Sequence, residues 1–408
     1  MTAKNNIPAG YKDSAVGIIP QEWEVKRIKD LGSVITGSTP PTADVSNYGS
    51  EYMFVSPADL SDNQKYVLFT EKMLSSKGYA ISRKMPKGTI LYTCIGSTIG
   101  KIGIASRELT SNQQINAVIC NDKNEYLYYA LLLTTGRIKM LAGEQAVPII
   151  NKSEFENIKL AVPPMEEQRK IAEILGVWDE AIEKQSRLIE KLELRKRGLM
   201  QRLLTGHTRL PGFTTPWQKV KLGEICEEYI LRNTDDNDYI VLSCTKYNGL
   251  VSSLDYFGKQ IFSDNLRTYK VVPKYHFAYA TNHIEEGSIG YQGSYDYALI
   301  SPMYTVFKAD DTKVDNYFLY TLLKTPLMIY NYQSRIEGSI DRRGGLRWDA
   351  FAGIIIKLPS LPEQKAIAEV LTTADDEIAT HRKKLDALCL QKRGLMQQLL
   401  TGKTRVKF

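Results

Sequence analysis

A long segment of this chain occurs twice. Residues 163–209 and 359–405 align without a gap at an offset of 196 positions (363 − 167 = 196), and about half of the paired residues are identical. The run KRGLMQ is unbroken in both copies, at Lys196–Gln201 and Lys392–Gln397, and LLTG follows at Leu203–Gly206 and Leu399–Gly402. Solenoid repeats have periods of about 20–50 residues, far shorter than this one. The repeated unit is therefore a whole domain with a helix attached. A fold built from two such units presents two related but non-identical surfaces.

The repeated segment is itself helical in pattern. From about Glu166 to Leu204, one row of apolar residues runs Ile171, Trp178, Leu192 and Leu199, with Gln185 interrupting. A second row runs Leu175, Ile182, Ile189 and Leu203, interrupted by Lys196. Both rows keep a seven-residue period, the seam of a coiled coil. The second copy repeats it with Ile367, Ala374, Leu388 and Leu395 around His381, and with Leu371, Ile378, Leu385 and Leu399 around Lys392. Gly206 and Gly402 stand where a helix C-terminus expects glycine. At about 1.5 Å per residue each helix reaches about 58 Å, longer than one small core requires. Two seams in one chain satisfy each other most simply as an antiparallel pair. Gln185 and His381 are then expected to face one another at the helix-pair centre, where a polar layer fixes register at a cost in stability.

Ahead of each helix the sequence reads as short strands and long loops. A tryptophan-led strand opens each unit, at Trp23–Ile28 and Trp217–Leu222. Short β-branched and aromatic runs follow, such as Thr89–Ile95 and Tyr275–Thr281, broken by Gly, Asn, Asp and Pro. Each unit holds one helical patch, Glu125–Leu133 or Asn316–Leu323, and a last apolar stretch running into proline, Phe155–Pro164 or Phe351–Pro362. The expected class is α+β: two β-rich domains related by a pseudo-twofold axis and separated by two long antiparallel coiled-coil helices.

Charge and cysteines narrow the context. A formal charge of +7 favours an anionic partner without naming it. No run approaches the roughly 20 apolar residues of a membrane span, and MTAKNNIPAG lacks a signal peptide's apolar region, so a cytoplasmic protein without membrane contact is expected. Cys94, Cys120, Cys226, Cys244 and Cys389 are scattered, with no C-x-x-C, and read as reduced, inert thiols.

Catalytic constellations are missing from the pattern. Gly96-Ser-Thr-Ile-Gly100-Lys101 has three residues between its glycines where a phosphate-binding loop has four, and Ile102 where that loop has Ser or Thr. It reads as a turn between strands whose Lys101 can reach a nucleic-acid phosphate. There is no G-x-G-x-x-G, and Pro163-Pro164 is followed by Met165 rather than the aromatic residue of an amino-methyltransferase motif. Four histidines, His207, His276, His283 and His381, are too few and scattered for a metal cluster, so no metal is expected. His283 with Glu285 and Glu286 reads as a polar partner-facing loop before it reads as an acid–base group. Glu363, at the start of the second helix, suits the positive field of a helix N-terminus.

The remaining candidates are polar and basic loop residues. In the first unit these are Asn112, Gln113 and Gln114, within Arg107–Asn116. In the second they are Asn282 and His283, and the glycine-flanked arginines Arg335, Arg342, Arg343 and Arg347. Gln and Asn suit adenine edges; Arg suits guanine or phosphate. On the helices, Arg187, Lys191, Arg195, Arg382, Lys383 and Lys384 are candidates for docking a partner, although a solvated helix face accounts for them equally well.

At these residues the chain resembles the specificity subunits of type I restriction–modification systems. The likeness rests on Pro163-Pro-Met-Glu-Glu-Gln168 with Ile171-Ala-Glu-Ile-Leu175, and on Leu361-Pro-Glu-Gln364 with Ile367-Ala-Glu-Val-Leu371. The helix ends Lys196–Gly206 and their second copies add to it, as does the opening Gly10–Trp23. The resemblance implies target-recognition domains at 1–165 and 207–361, and conserved helical spacer regions at 166–206 and 362–408. Each domain is then expected to read half of a bipartite, gapped site in double-stranded DNA. The helices would set the spacing and dock two modification subunits, which carry S-adenosylmethionine and methylate adenine; restriction subunits complete the complex. No cofactor or catalytic residue is expected on this chain. The competing expectations are a non-enzymatic coiled-coil scaffold whose β-rich domains bind protein or carbohydrate, and a self-sufficient DNA methyltransferase, disfavoured by the missing motifs.

Overall fold

The computed structural model describes residues 7–61, 64–120, 125–143, 147–336 and 345–406. They form two compact units, the first from residues 1–189 with 380–408 and the second from 190–379. Each long helix, Met165–Leu203 and Leu361–Leu399, contributes to both units.

The first unit is built on a five-stranded sheet with the spatial order Gly32–Thr36, Ile115–Cys120, Ile90–Thr93, Ile102–Ala105, Tyr66–Val67. The pairing is antiparallel except at Tyr66–Val67. The two middle-lying strands Ile90–Thr93 and Ile102–Ala105 are buried throughout, which explains their unbroken apolar sequence. A second sheet runs Thr110–Ser111, Tyr52–Val55, Lys72–Leu74, Tyr48–Gly49. The patch at Glu125 extends as a helix to Leu141, two turns beyond the apolar run that marks its start.

The second unit repeats the four-stranded heart of that sheet. Its order is Cys226–Glu228, Tyr304–Ala309, Phe277–Ala280, Ile289–Tyr291, again antiparallel. Here the helix Asn316–Leu323 ends early and a second helix, Pro326–Gln333, follows, with Pro326 in its first turn.

In both units the tryptophan-led strand pairs with the strand that runs into the long helix: Glu24–Arg27 with Lys159–Val162, and Gln218–Lys221 with Ile355–Leu358. That pairing brings the indole to the helix N-terminus. Trp23 Nε1 donates to Glu167 at 2.9 Å and Trp217 Nε1 to Glu363 at 3.2 Å. Both carboxylates are fully buried, and each takes an arginine in a two-pronged pair. Arg405 reaches Glu167 at 2.8 and 3.0 Å, and Arg209 reaches Glu363 at 2.6 and 2.7 Å. The neighbouring Gln168 and Gln364 donate to the carbonyls of Pro163 and Pro359, both at 2.8 Å. The repeated Glu-Gln pair is thus the hinge pin between strand, helix start and the tail of the other helix. Gly206 and Gly402 end the helices in the left-handed region, at φ +68° and +71°.

The helices run antiparallel within each unit. In the first, Asp179 meets Lys392, and the Gln185 amide nitrogen lies 2.8 Å from His381 Nδ1 and donates to the His381 carbonyl at 2.9 Å. In the second, Lys196 meets Asp375 and Arg195 meets Glu377. The lysines that break the heptad rows are therefore answered by aspartates at equivalent places in the two copies (375 − 179 = 196). A tyrosine from the globular part donates to each aspartate, Tyr129 to Asp179 and Tyr317 to Asp375. Both helices also enter each core. Ile171 and Leu175 pack with Met396, Leu399 and Leu400 in the first; Leu203 and Leu204 pack with Ile367 and Leu371 in the second.

Candidate nucleic-acid interface

Antiparallel pairing gathers three loops at one end of the first unit's sheet. Thr36 is opposite Asn116, and Ile115 is opposite Thr93. So the segments after Thr36, after Thr93 and before Ile115 emerge together, at the end away from the strand that starts the long helix. The loop after Thr36 has the composition Gly37-Ser-Thr-Pro-Pro-Thr42. Ser38 N donates to the Ser111 carbonyl at 2.9 Å and Gly37 N to Ile115 at 3.0 Å. Gly37 is required by this approach: a Cβ there would lie 2.1 Å from the Asn112 carbonyl.

The sequence candidates differ in how they are presented. Asn112 and Gln114 bond to one another, Asn112 Nδ2 donating to Gln114 Oε1 at 2.9 Å and Gln114 N to Asn112 Oδ1 at 3.1 Å. They brace the loop. Gln113 between them is exposed, its side-chain oxygen held by the Thr39 hydroxyl. Lys101 closes the turn after Thr93, donating from Nζ to the Pro57 carbonyl at 3.2 Å. Gly96 and Gly100 take φ values of +86° and +95°, so this glycine pair serves a strand-to-strand turn. Arg83 joins the group from outside the candidate list. Its backbone N–H donates to Ser38 Oγ at 3.0 Å, and its guanidinium to the Thr36 carbonyl at 2.8 Å. For Arg83 itself the sequence offers no signal beyond the Gly-Ser-Thr-Pro-Pro run, directly after a strand, that it packs against.

The matching end of the second unit's sheet carries different chemistry. Asn282 and His283 are exposed on the turn after Ala280. Thr281 Oγ1 donates to the Met303 carbonyl at 2.8 Å, and Leu346 N donates to Thr281 at 3.0 Å, which places Arg347 beside this turn. Gln333 donates to the Glu285 carbonyl at 3.3 Å and brings the exposed Arg335 after it. Arg342 and Arg343 lie outside the described residues. His283, Glu285 and Glu286 bring their ligand-capable atoms within 4.8 Å of one another on the same turn, a grouping that uses one histidine and two carboxylates. Other cations nearby are taken up internally. Lys270 donates to Tyr304 at 2.6 Å and Lys324 to Lys246 at 2.9 Å, and burial lowers the pKa of both.

On the helices, Arg195 is committed to Glu377 and Arg187 to Glu183, the latter at 2.5 Å. Lys191, Arg382, Lys383 and Lys384 are exposed.

A family model described as the type I restriction modification DNA specificity domain matches the chain twice, over residues 20–194 and 215–389. The chain belongs to this family. The two matches start 195 positions apart (215 − 20), in step with the internal duplication. The MjaVIII specificity subunit of Methanocaldococcus jannaschii is 27% identical over 95% of this chain and 94% of its own length. The MjaIX specificity subunit of the same organism is 35% identical, over 45% of each chain. In structure, the S subunit from M. genitalium aligns with a TM-score of 0.54 and 16% identity over 98% of both chains. A chain from a type I restriction–modification assembly aligns at 0.57 and 17%, over 95% of this chain and 99% of that one. The chain is therefore a specificity subunit, the non-catalytic DNA-recognition component of such a system. Among the described residues, no helix is long and apolar enough to cross a membrane.

Proposed function

We propose that each unit of this specificity subunit reads one half of a bipartite, gapped site in double-stranded DNA. The observation that carries the reading is the repeated sheet with unlike loops at the same end. One unit offers Gln113, Thr39 and Arg83; the other offers Asn282, His283, Arg335 and Arg347. A common scaffold with different hydrogen-bonding edges is what two unlike half-sites require. In this reading residues 1–165 and 207–361 are the recognition domains. Helical regions 166–206 and 362–408 set the spacing of the half-sites and dock two modification subunits, which hold S-adenosylmethionine; restriction subunits join that core in the cytoplasm. Charge of only +7 on 408 residues suits a chain whose partners supply much of the phosphate contact.

Long-read methylation mapping in a naïve bacterial host tests this. The chain is expressed with and without its neighbouring modification subunit. A two-part adenine motif that needs both chains is expected, asymmetric because the loops differ. Exchange of residues 207–360 for those of another specificity subunit should alter one half only. A palindromic motif, or absence of methylation from an assembled complex, would overturn the reading.

A further inference from the structure

We infer that Arg83 is a specificity-determining residue of the first unit, reading the O6/N7 edge of a guanine in that unit's half-site. The inference rests on the bipartite reading above and goes beyond it in naming a residue and a base. Arg83 lies far in sequence from the candidate loops, and only the fold brings it to them. It is exposed at the sheet end where the three loops converge, yet it is fixed at two points: its own N–H on Ser38 Oγ and its guanidinium on the Thr36 carbonyl. The same Ser38 is bonded to Ser111, and the next residue, Thr39, holds the Gln113 amide. One two-residue stretch of loop therefore positions both an arginine fork and a glutamine amide.

Fixing matters because a free arginine loses much rotamer freedom on binding, whereas one already held loses less per hydrogen bond formed. Only Nη1 of the fork is engaged by the carbonyl, so Nε and Nη2 keep their donors among the described residues. Two donors in a plane match the paired acceptors of guanine in the major groove, the commonest specific contact made by arginine. Three lysines of the unit are placed differently. Lys101 is tied to Pro57, Lys77 to Asp44 at 2.8 Å, and Lys84 lies over the Tyr79 ring at 4.8 Å. Lysine ammoniums of that kind serve phosphates, while the pre-set arginine beside an amide suits a base pair.

The test uses the assembled complex of this chain with its modification subunit. Methylation motifs are mapped for the native chain, Arg83→Ala, Arg83→Lys and Ser38→Ala, with thermal melting of each. One guanine position should become degenerate in Arg83→Ala, in the half-site that exchange of residues 207–360 leaves unaltered. Discrimination there should fall about 5- to 150-fold, the range for one bidentate contact. Ser38→Ala should relax the same position less. If Arg83→Ala does not fold, Ser38→Ala and Arg83→Lys decide the matter by the same readout. The native complex should bind duplexes carrying 7-deazaguanine at that position more weakly than the guanine duplex, whereas the Arg83→Ala complex, with no donor to N7, should bind both alike. An unaltered motif with uniformly weaker methylation would make Arg83 a phosphate contact and overturn the inference; so would relaxation in the other half-site. Failure of the bipartite reading itself would show separately, as a native chain without a two-part motif.

Discussion

Replacing Lys392 with methionine should reveal how much the polar breaks in the heptad rows contribute. The lysine side chain is 11% exposed and its partner Asp179 18% exposed, so the pair is largely withdrawn from water. Removing one member of a buried pair commonly costs about 3–5 kcal/mol, because the other charge is left without its partner. Asp179 is not wholly stranded: the Tyr129 hydroxyl still donates to it, and Lys65 Nζ lies 4.0 Å away. The expected loss is therefore about 2–3 kcal/mol. Lys196→Met in the second unit is the internal comparison. There the side chains are 21% and 39% exposed, and water screens more of the interaction, so a loss of about 1 kcal/mol is expected. The double variant Lys392→Met with Asp179→Leu should recover most of the loss, since apolar replacement of a whole buried pair is often near neutral. Urea denaturation of the four proteins, with hydrogen exchange on helix peptides to assign each loss to its unit, measures all of this. If Lys196→Met costs as much as Lys392→Met, or the double variant is as unstable as the single, burial is not what sets the strength of these pairs.

Arg405→Ala should destabilise the first unit by about 1–2 kcal/mol, discounted because the arginine side chain is 35% exposed, while Glu167 stays buried and keeps the Trp23 indole as donor. Urea midpoints of the full chain check it, and no measurable change would mean that the Glu167 carboxylate gains water in exchange. Burial pushes the Tyr320 phenol up to about 12, and raises Tyr129 and Tyr317 as well, where an aspartate accepts from each hydroxyl. A raised folded pKa gives stability that is complete below the unfolded value of about 10 and is lost as pH climbs through the folded one. Unfolding free energy should accordingly begin to fall at about pH 9, where the buried thiols Cys94, Cys226 and Cys244 would ionise on unfolding, and fall more steeply above about pH 10 as the tyrosines join; a plateau to pH 12 would contradict the burial argument. Burial likewise raises the thiols of Cys94, Cys226 and Cys244 to about 12. Iodoacetamide at pH 8 should label Cys389, on its half-buried helix face, well before any of those three, as read by peptide mass spectrometry.

Periodicity and the internal repeat carried a great deal on their own. The first long helix is bounded within a residue, Glu166–Leu204 in the sequence against Met165–Leu203 in the structure, because proline, a sustained seven-residue row and a glycine stop are all local signals. The Gln185–His381 contact was legible for the same reason, since two matching rows with matching breaks leave few registers for an antiparallel pair. The strands were harder. The tryptophan-led strands could be seen, but their partners, some 135 residues later, could not, because a β pairing is fixed by which faces a whole core can bury. The repeated Glu-Gln pair looked like a helix start and nothing more. Its role in holding an indole and an arginine needs residues from both ends of the chain, as with Trp23, Glu167 and Arg405. At the candidate interface, residue type picked out Gln113 and Arg347, but not that Asn112 and Gln114 are spent on one another, nor that Arg83 belongs with them. The sequence by itself determined the duplicated plan and the helix register, which depend on spacing along one chain. Only the tertiary structure decided which donors are exposed and which are consumed, because that depends on neighbours brought together by folding.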